Sequence, residues 1–237
     1  MSYSDDHAEF YDVVFLSRGK DWVAEAKELT GLVKARRPGA DSVLDVACGT
    51  GAHLEAFAEH FAHVAGVEPA DAMRRLAQDR PGVRAVHPGD MRDFTADRAY
   101  DAVTCLGFAV GYMPDEAALD AAIAHMARQL VPGGVLVVEP WWSPEKFLDG
   151  YVGGHLVRED GRAISRITHS VRDGDKSRMT IAFTVAGPGG VRQFHEVETQ
   201  TLFTDGQYLR AFERAGCPAE RVAGPPDHPG YLVGVRH

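Results

Sequence analysis

Residues 42–51, SVLDVACGTG, constrain this chain more than any other stretch. Val43, Leu44 and Val46 form a short apolar run of β-formers, the pattern of a buried strand. Gly49 and Gly51 follow, and AHLEAFAEH at 52–60 predicts a helix. Two glycines between a parallel strand and a helix let the backbone turn tightly and let a ligand approach with no Cβ in the way. The helix beyond offers unpaired N–H groups. The dinucleotide fingerprint requires a third glycine three residues after the second. Leu54 occupies that position, which disfavours a nicotinamide cofactor.

The alternation of elements continues from this turn. Strands are predicted at 63–68, 83–87, 100–106 and 135–139, and helices at 21–37, 70–79 and 116–130. The second strand ends in Glu68, and the third is followed by PGDMRDF at 88–94, which contains Asp90 and Met91. Gly49 with Gly51, Glu68 and Asp90 therefore fall on the carboxyl edge of one parallel sheet. That edge is where doubly wound α/β sheets bind ligands, and an acid at Glu68 can accept from ribose hydroxyls. After residue 140 the pattern changes to alternating segments at 162–171, 177–185 and 191–201, separated by Asp173-Gly174 and by 187–190. These read as an antiparallel sheet. Residues 201–204, a helix at 205–215 and a strand at 231–235 return to the core. The predicted division is a core of residues 1–140 and 199–237, whose N-terminal helical part is expected as a lid over the ligand edge or as simple packing on the sheet edge, with residues 141–198 inserted.

The 237 residues, 45% hydrophobic and 25% charged, suit one core with an insertion. A formal charge of -9 argues against a nucleic-acid partner, which normally meets a basic face. Apolar runs fall well short of the roughly 18 residues of a membrane span. The beginning, MSYSDDHAEFYD, is acidic without an apolar signal core, so a cytoplasmic location is expected. Cys48, Cys105 and Cys217 are scattered with no CxxC, and the 11 histidines form no HExxH, so neither a disulfide nor a metal is expected. The segment Arg18-Gly19-Lys20 places two cations beside a glycine, suited to receive a phosphate or to stand as a solvated turn.

Several stretches carry a family resemblance. The form D-x-A-C-G-T-G, with an acid ending the next strand, resembles the first motif of class I methyltransferases, which bind S-adenosylmethionine in a Rossmann-like fold. Together, LDVACGTG, GDMRDF at 89–94, VVEPWW at 137–142, THSVRDG at 168–174 and RGKD at 18–21 resemble the dTDP-aminosugar N,N-dimethyltransferases of antibiotic deoxysugar pathways. The resemblance runs from about Tyr3 to the carboxyl end. It implies a class I methyltransferase core with an inserted antiparallel sheet that meets the nucleotide-sugar and helps form a homodimer. It also implies a cofactor site made of Tyr11, Ala47, Gly49, Gly51, Glu68, Asp90 and Met91. Asp90 would accept from the adenine amino group, with Met91 beside the ring. Tyr3, Tyr112, Trp141 and Trp142 would border the reacting amine, and Arg18, Lys20, Arg158, Arg166 and Arg178 would take the pyrophosphate.

A sulfonium methyl is already activated, so the reaction needs no protein nucleophile, and Tyr112 with waters is the expected proton acceptor. The two tryptophans are suited to surround a cation, although as ordinary core or interface residues they would need no such role. Gly107-Phe108-Ala109 departs from the Phe-Ser-Ser expected in 3-aminosugar enzymes, which leaves the amine at C-3 or C-4 open. Two rival readings stand beside this one. The first is a methyltransferase for another small-molecule amine or hydroxyl. The second is a non-catalytic S-adenosylmethionine-binding protein, which a methylated product mass would exclude.

Overall fold

The computed structural model describes residues 5–159, 161–225 and 228–237. Two sheets organise it. The larger has seven strands: β1 Ser42–Val46, β2 His63–Val67, β3 Val83–His87, β4 Tyr100–Cys105, β5 Leu130–Val138, β10 Ala219–Val222 and β11 Tyr231–Val235. Their order is β10-β11-β5-β4-β1-β2-β3. β1 pairs in parallel with β2 and β4, while β11 runs antiparallel to both β5 and β10. The first strand sits at the topological switch point, with its successors fanning out on both sides.

Every residue of β1 is buried, and its alternate side chains feed two cores. Leu44 and Val46 pack with α5 (Glu116–Arg128) and α6 (Asp205–Arg214) through Leu119, Ile123, Met126 and Phe212. Val43 faces α2 (Trp22–Arg36) and α3 (Ala52–Phe57) through Leu29, Val33, Leu54 and Phe57. Helices on both faces of a mostly parallel sheet make the three-layer α/β sandwich that the hydrophobic runs predict. α4 (Asp71–Gln78) links β2 to β3.

The smaller sheet is antiparallel, β6-β7-β8-β9, built from Tyr151–Glu159, Arg162–Asp173, Lys176–Gly187 and Gly190–Thr201. It joins the core between β5 and α6. Helix α1 (Asp5–Ser17) bridges the two sheets. Phe10 and Val14 pack on Ile164, Ile181, Phe183 and Val185 of the small sheet, while Ala8 packs on Ala70, Ala72 and Met73 at α4.

The structure departs from the sequence expectations at several elements. Residues 5–17 form a helix where the sequence suggests only an acidic, aromatic-rich segment. β6 is an additional strand; it is an edge strand with two glycines and a mostly exposed, weakly apolar pattern. Residues 202–204 do not form a core strand. Instead, Thr204 caps α6 in a reciprocal capping box with Gln207, and the short edge strand β10 completes the sheet. The helix after the glycine turn stops at Phe57, not residue 60. Among the described residues no helix is long and apolar enough to cross a membrane.

The strand ends opposite the glycine turn are tied by Asp101. Its carboxylate accepts from Arg37 Nε at 2.7 Å, Ser42 Oγ at 2.7 Å, and the Ser42 and Asp41 N–H groups at 3.1 Å each. Burial alone would raise its pKa, but the bonds from Ser42, Asp41 and Arg37 outweigh that and hold it below the usual carboxylate range. A carboxyl with a depressed folded-state pKa adds stability above its unfolded pKa of about 3.9 and loses it as pH falls through the folded value. Asp101→Ala should therefore lower the unfolding free energy at pH 7 by about 1.5–3 kcal/mol. The gap to wild type should narrow below about pH 4, as read by urea unfolding at both pH values.

Candidate active site

The turn after β1 leaves ordinary backbone space three times in five residues: Ala47, Gly49 and Gly51 have φ of 61°, 57° and 77°. A Cβ on Gly51 would lie 2.8 Å from Ala77 Cα, so only glycine lets α4 approach. A Cβ on Gly49 would meet nothing within 4 Å, because that residue faces open cavity. Glu68, 4% exposed, holds the turn from behind: its carboxylate accepts from Gly49 N at 3.0 Å and from Ala70 N at 2.8 Å. Burial pushes its pKa up, and these two bonds act against that rise.

Helix α1 closes the turn from the front. Thr50 Oγ1 donates to Asp12 at 2.6 Å, and Arg80 joins Asp12 while its Nε donates to the Thr50 carbonyl at 3.0 Å. At the far end of α1, Ser17 Oγ and His155 Nε2 of β6 are 2.7 Å apart. The helix thus roofs a cavity of about 960 Å³ between the carboxyl edge of the large sheet and the inner face of the small one.

Asp45 lies on its floor, 1% exposed, accepting from Thr104 Oγ1 at 2.6 Å. Burial raises its pKa to about 6, against the positive influence of His53 and the Thr104 bond. His53 Nε2 meets Glu25 at 2.9 Å, and Lys20 pairs with the same carboxylate at 2.7 Å.

The opposite wall is aromatic and held in place. Phe108 has φ of 61°, the second non-glycine residue in left-handed space, and both strained residues line the cavity. Such conformations cost about 1–3 kcal/mol each and persist where the surroundings impose them. Here the imposing group is Glu139, 2% exposed, which accepts from Gly107 N at 2.6 Å and meets His228 Nε2 at 2.6 Å. Gly230 N donates to His228 Nδ1 at 2.9 Å, which leaves the ring proton on Nε2 for Glu139. Phe108 packs edge-on against Trp141 at 5.1 Å, and Trp141 Nε1 donates to Ser177 Oγ at 2.9 Å. Gln200 Nε2 donates to the Phe108 carbonyl at 3.0 Å.

The fold gathers Tyr11, Arg18, Lys20, Ala47, Gly49, Tyr112, Trp141, Trp142 and Arg166 onto this one cavity. Gly51 and Glu68 support its glycine turn from outside the lining. Met91 is buried in the core, 7% exposed. Asp90, beyond β3, is engaged by the Arg92 guanidinium at 2.7 and 3.0 Å. Burial would raise the Asp90 pKa, but Arg92 prevails and holds it low.

Two expected substrate contacts are not brought to the cavity. Arg158 lines a separate hollow beside Arg162 and Gly187. Arg178 is exposed, and the pleat turns it to the face opposite Met179, which does line the cavity. Tyr3 lies outside the described residues. Sequence reasoning missed Lys146, His155, Glu198 and Gln200, all on the lining. For Glu198 and Gln200 the signal was present as period-two alternation along β9, but which phase faces inward is set by packing.

The glycine that opens onto the cavity and the buried acid behind it fit S-adenosylmethionine. A side chain at residue 49 would fill the space a ligand needs.

Comparison with known proteins agrees. The methyltransferase domain family matches residues 43–134. A Saccharopolyspora spinosa dTDP-4-amino-2,3,4,6-tetradeoxy-D-glucose N,N-dimethyltransferase is 49% identical, over 99% of this chain and 94% of its own. A Streptomyces venezuelae dTDP-3-amino-3,4,6-trideoxy-alpha-D-glucopyranose N,N-dimethyltransferase is 48% identical, over 98% and 99%. The solved structure of S-adenosylmethionine-bound CalS10, an amino pentose methyltransferase from Micromonospora echinaspora, superimposes with a TM-score of 0.88 at 45% identity, covering 100% of this chain and 98% of that one. With matches of this identity running along its whole length, the chain belongs to the family of dTDP-aminosugar N,N-dimethyltransferases.

Proposed function

We propose that this protein methylates the amine of a dTDP-amino-deoxyhexose twice, with the amine at C-3 or C-4 of the sugar, in antibiotic deoxysugar biosynthesis. The observation that carries this reading is the continuity of one cavity. Its glycine-turn end opens directly into a half walled by Phe108, Tyr112, Trp141 and Trp142 and bordered by Arg18, Lys146, His155 and Arg166. Arg18 and Lys146 form no ion pair with a carboxylate among the described residues, which suits a diphosphate. Lys20 is already matched by Glu25.

S-adenosylmethionine, the cofactor, supplies a methyl group activated on a sulfonium. The chain's own task is placement. Glu68 takes the ribose hydroxyls and Asp90 the adenine amine, while Tyr11, Ala47 and Gly49 line the cavity itself. The aromatic wall, fixed by Glu139, Gln200 and Ser177, holds the acceptor amine in line and excludes water. Such positioning accounts for about 7–11 kcal/mol of barrier reduction. Flat rings accept the bulkier monomethyl amine without needing a fixed hydrogen bond, so a second round uses the same pocket. A third transfer would give a quaternary nitrogen with no N–H left to donate, so the reading stops at two methyl groups.

Incubating the enzyme with S-adenosylmethionine and with 3-amino and 4-amino dTDP-sugars should add two methyl masses to one of them. No mass gain on either removes the aminosugar reading, and gain on an unrelated small amine or phenol would put the rival in its place. Tyr112→Phe should lower kcat less than about tenfold, below the 10²–10⁴-fold share of a general acid–base group. A thousandfold fall would instead make Tyr112 an essential base.

Glu68→Ala should fold and bind S-adenosylmethionine more weakly by about 1.5–3 kcal/mol in calorimetry. Unchanged affinity in the folded variant contradicts the ribose assignment.

The same reading includes a homodimer. On the small sheet's outer face Val152, Leu156, Ile167 and Val197 are 69%, 57%, 55% and 47% exposed. Val152 and Val197 end one cross-strand row, and Ile167 stands in the next beside Gly154 and Ala182. An apolar patch of this kind suits a second copy related by a two-fold axis. Sedimentation should give twice the chain mass, and Ile167→Asp should give the single chain mass; a wild-type monomer overturns it.

A further inference from the structure

Among the described residues two carboxylates line the cavity, and they differ in kind. Asp45 is at the floor, 1% exposed, and bonded to Thr104. Glu198 is half-buried on the substrate side, carried by a strand and not by a loop. The pleat of β9 places it on the same face as Gln200, which is 4% exposed and clamps the Phe108 carbonyl. Across the ladder it pairs with Met179, and Met179 with Ser170, both also on the lining. From the roof, Tyr11 approaches: burial drives its phenol pKa up, and the charge of Glu198 is the largest electrostatic contribution to that rise. Glu198 therefore aims a negative charge into the space between Tyr11 and the aromatic wall, and no step described above uses it.

We infer that Glu198 receives the acceptor amine as its ammonium ion and takes the proton that must leave before the nitrogen attacks. This rests on the aminosugar reading. In the bound pair an N–H bond breaks toward a carboxylate oxygen, the electron pair stays on nitrogen, and carboxylate plus ammonium becomes carboxylic acid plus amine with no change in total charge. Each methyl transfer regenerates an N–H cation, and Glu198, having returned its proton to water, accepts the next one. The cavity thus carries opposite signs at its two substrate positions, cations for the diphosphate and an anion for the amine. The titratable or charged groups that share the cavity lining with Glu198 are Tyr11 on α1, Arg18 and Lys20 after it, Asp45 on β1, Cys48 in the glycine turn, His53 on α3, Tyr112 before α5, Lys146 before β6, Tyr151 and His155 on β6, and Arg166 on β7. Glu196 is two residues away on the same face of β9. Arg166 keeps its charge throughout and turns toward Met179 Sδ at 3.9 Å.

The test is the pH profile of kcat/KM, read by product mass, for wild type and Glu198→Gln. Wild type, binding ammonium to carboxylate, should run flat up to the pKa of the amine. The glutamine variant must capture free amine, so its kcat/KM should climb about tenfold per pH unit and meet wild type within about threefold above the amine's pKa. Parallel profiles overturn the inference while leaving the aminosugar reading intact. A wild type that methylates neither sugar overturns both. Calorimetry on wild type makes the outcome independent of whether the variant folds. At pH 7 the aminosugar should bind at least about tenfold tighter than the analogue with hydroxyl in place of amine, the scale of a charge-assisted bond. Equal affinities overturn the inference.

Discussion

The structure depends on three residues between Val46 and Ala52 staying in left-handed space. Ala47, Gly49 and Gly51 all take positive φ there, and the Glu68 carboxylate fixes the middle of the turn through Gly49 N. Everything around the site takes its position from this turn. Because Gly51 has no Cβ, α4 closes to contact through Ala77. Because Thr50 is presented outward, α1 docks through Asp12, with Arg80 joining the same carboxylate. The docked helix then joins the two sheets and roofs the cavity. Strain in the turn is tolerated because strand β1, buried at every residue, cannot shift to relieve it.

A second strained loop faces the first across the cavity. Phe108 is held at positive φ by a buried carboxylate, Glu139, as the glycine turn is held by Glu68. Both acids sit at the carboxyl ends of parallel strands; Glu68 spends its oxygens on two backbone N–H groups, and Glu139 divides its pair between Gly107 N and the His228 ring. Burial penalises such charges, and hydrogen bonds to N–H groups offset that penalty. The result is two rigid loops with a gap between them, which is what in-line transfer between two bound molecules demands. The inserted sheet supplies the rest: a straight, hydrogen-bonded surface that carries Arg166, Met179, Glu198 and Gln200 at fixed spacing.

Much of this was local enough to be legible in the chain. The apolar run before Gly49, the acid ending the next strand and the amphipathic stretch at 116–130 each code for their element within about fifteen residues. Packing then confirms the fold class that their order implies. The family motifs were also local, so the kinship to aminosugar methyltransferases was available before any coordinate. Helix α1 was not, because its apolar residues divide between two partners: Phe10 and Val14 serve the small sheet and Ala8 serves α4. Without a single apolar stripe there is no clear helical period to read. β6 and β10 were hidden for a related reason, since edge strands need little apolar alternation to pair.

What the sequence determined by itself was the turn, the strand-end acids, the order of elements and the identity of the family. Tertiary structure alone decided which arginines reach the cavity. Arg166 and Arg178 are each one of several cations on an inserted strand, and only the phase of the pleat against α1 sends one inward and the other out. It likewise decided that Lys146 of the loop before β6, His155 of β6 and Glu198 of β9 share one space with Tyr11. A strand's period says that alternate residues share a face. Which face is buried depends on what the sheet packs against, and that partner lies more than a hundred residues away in the chain.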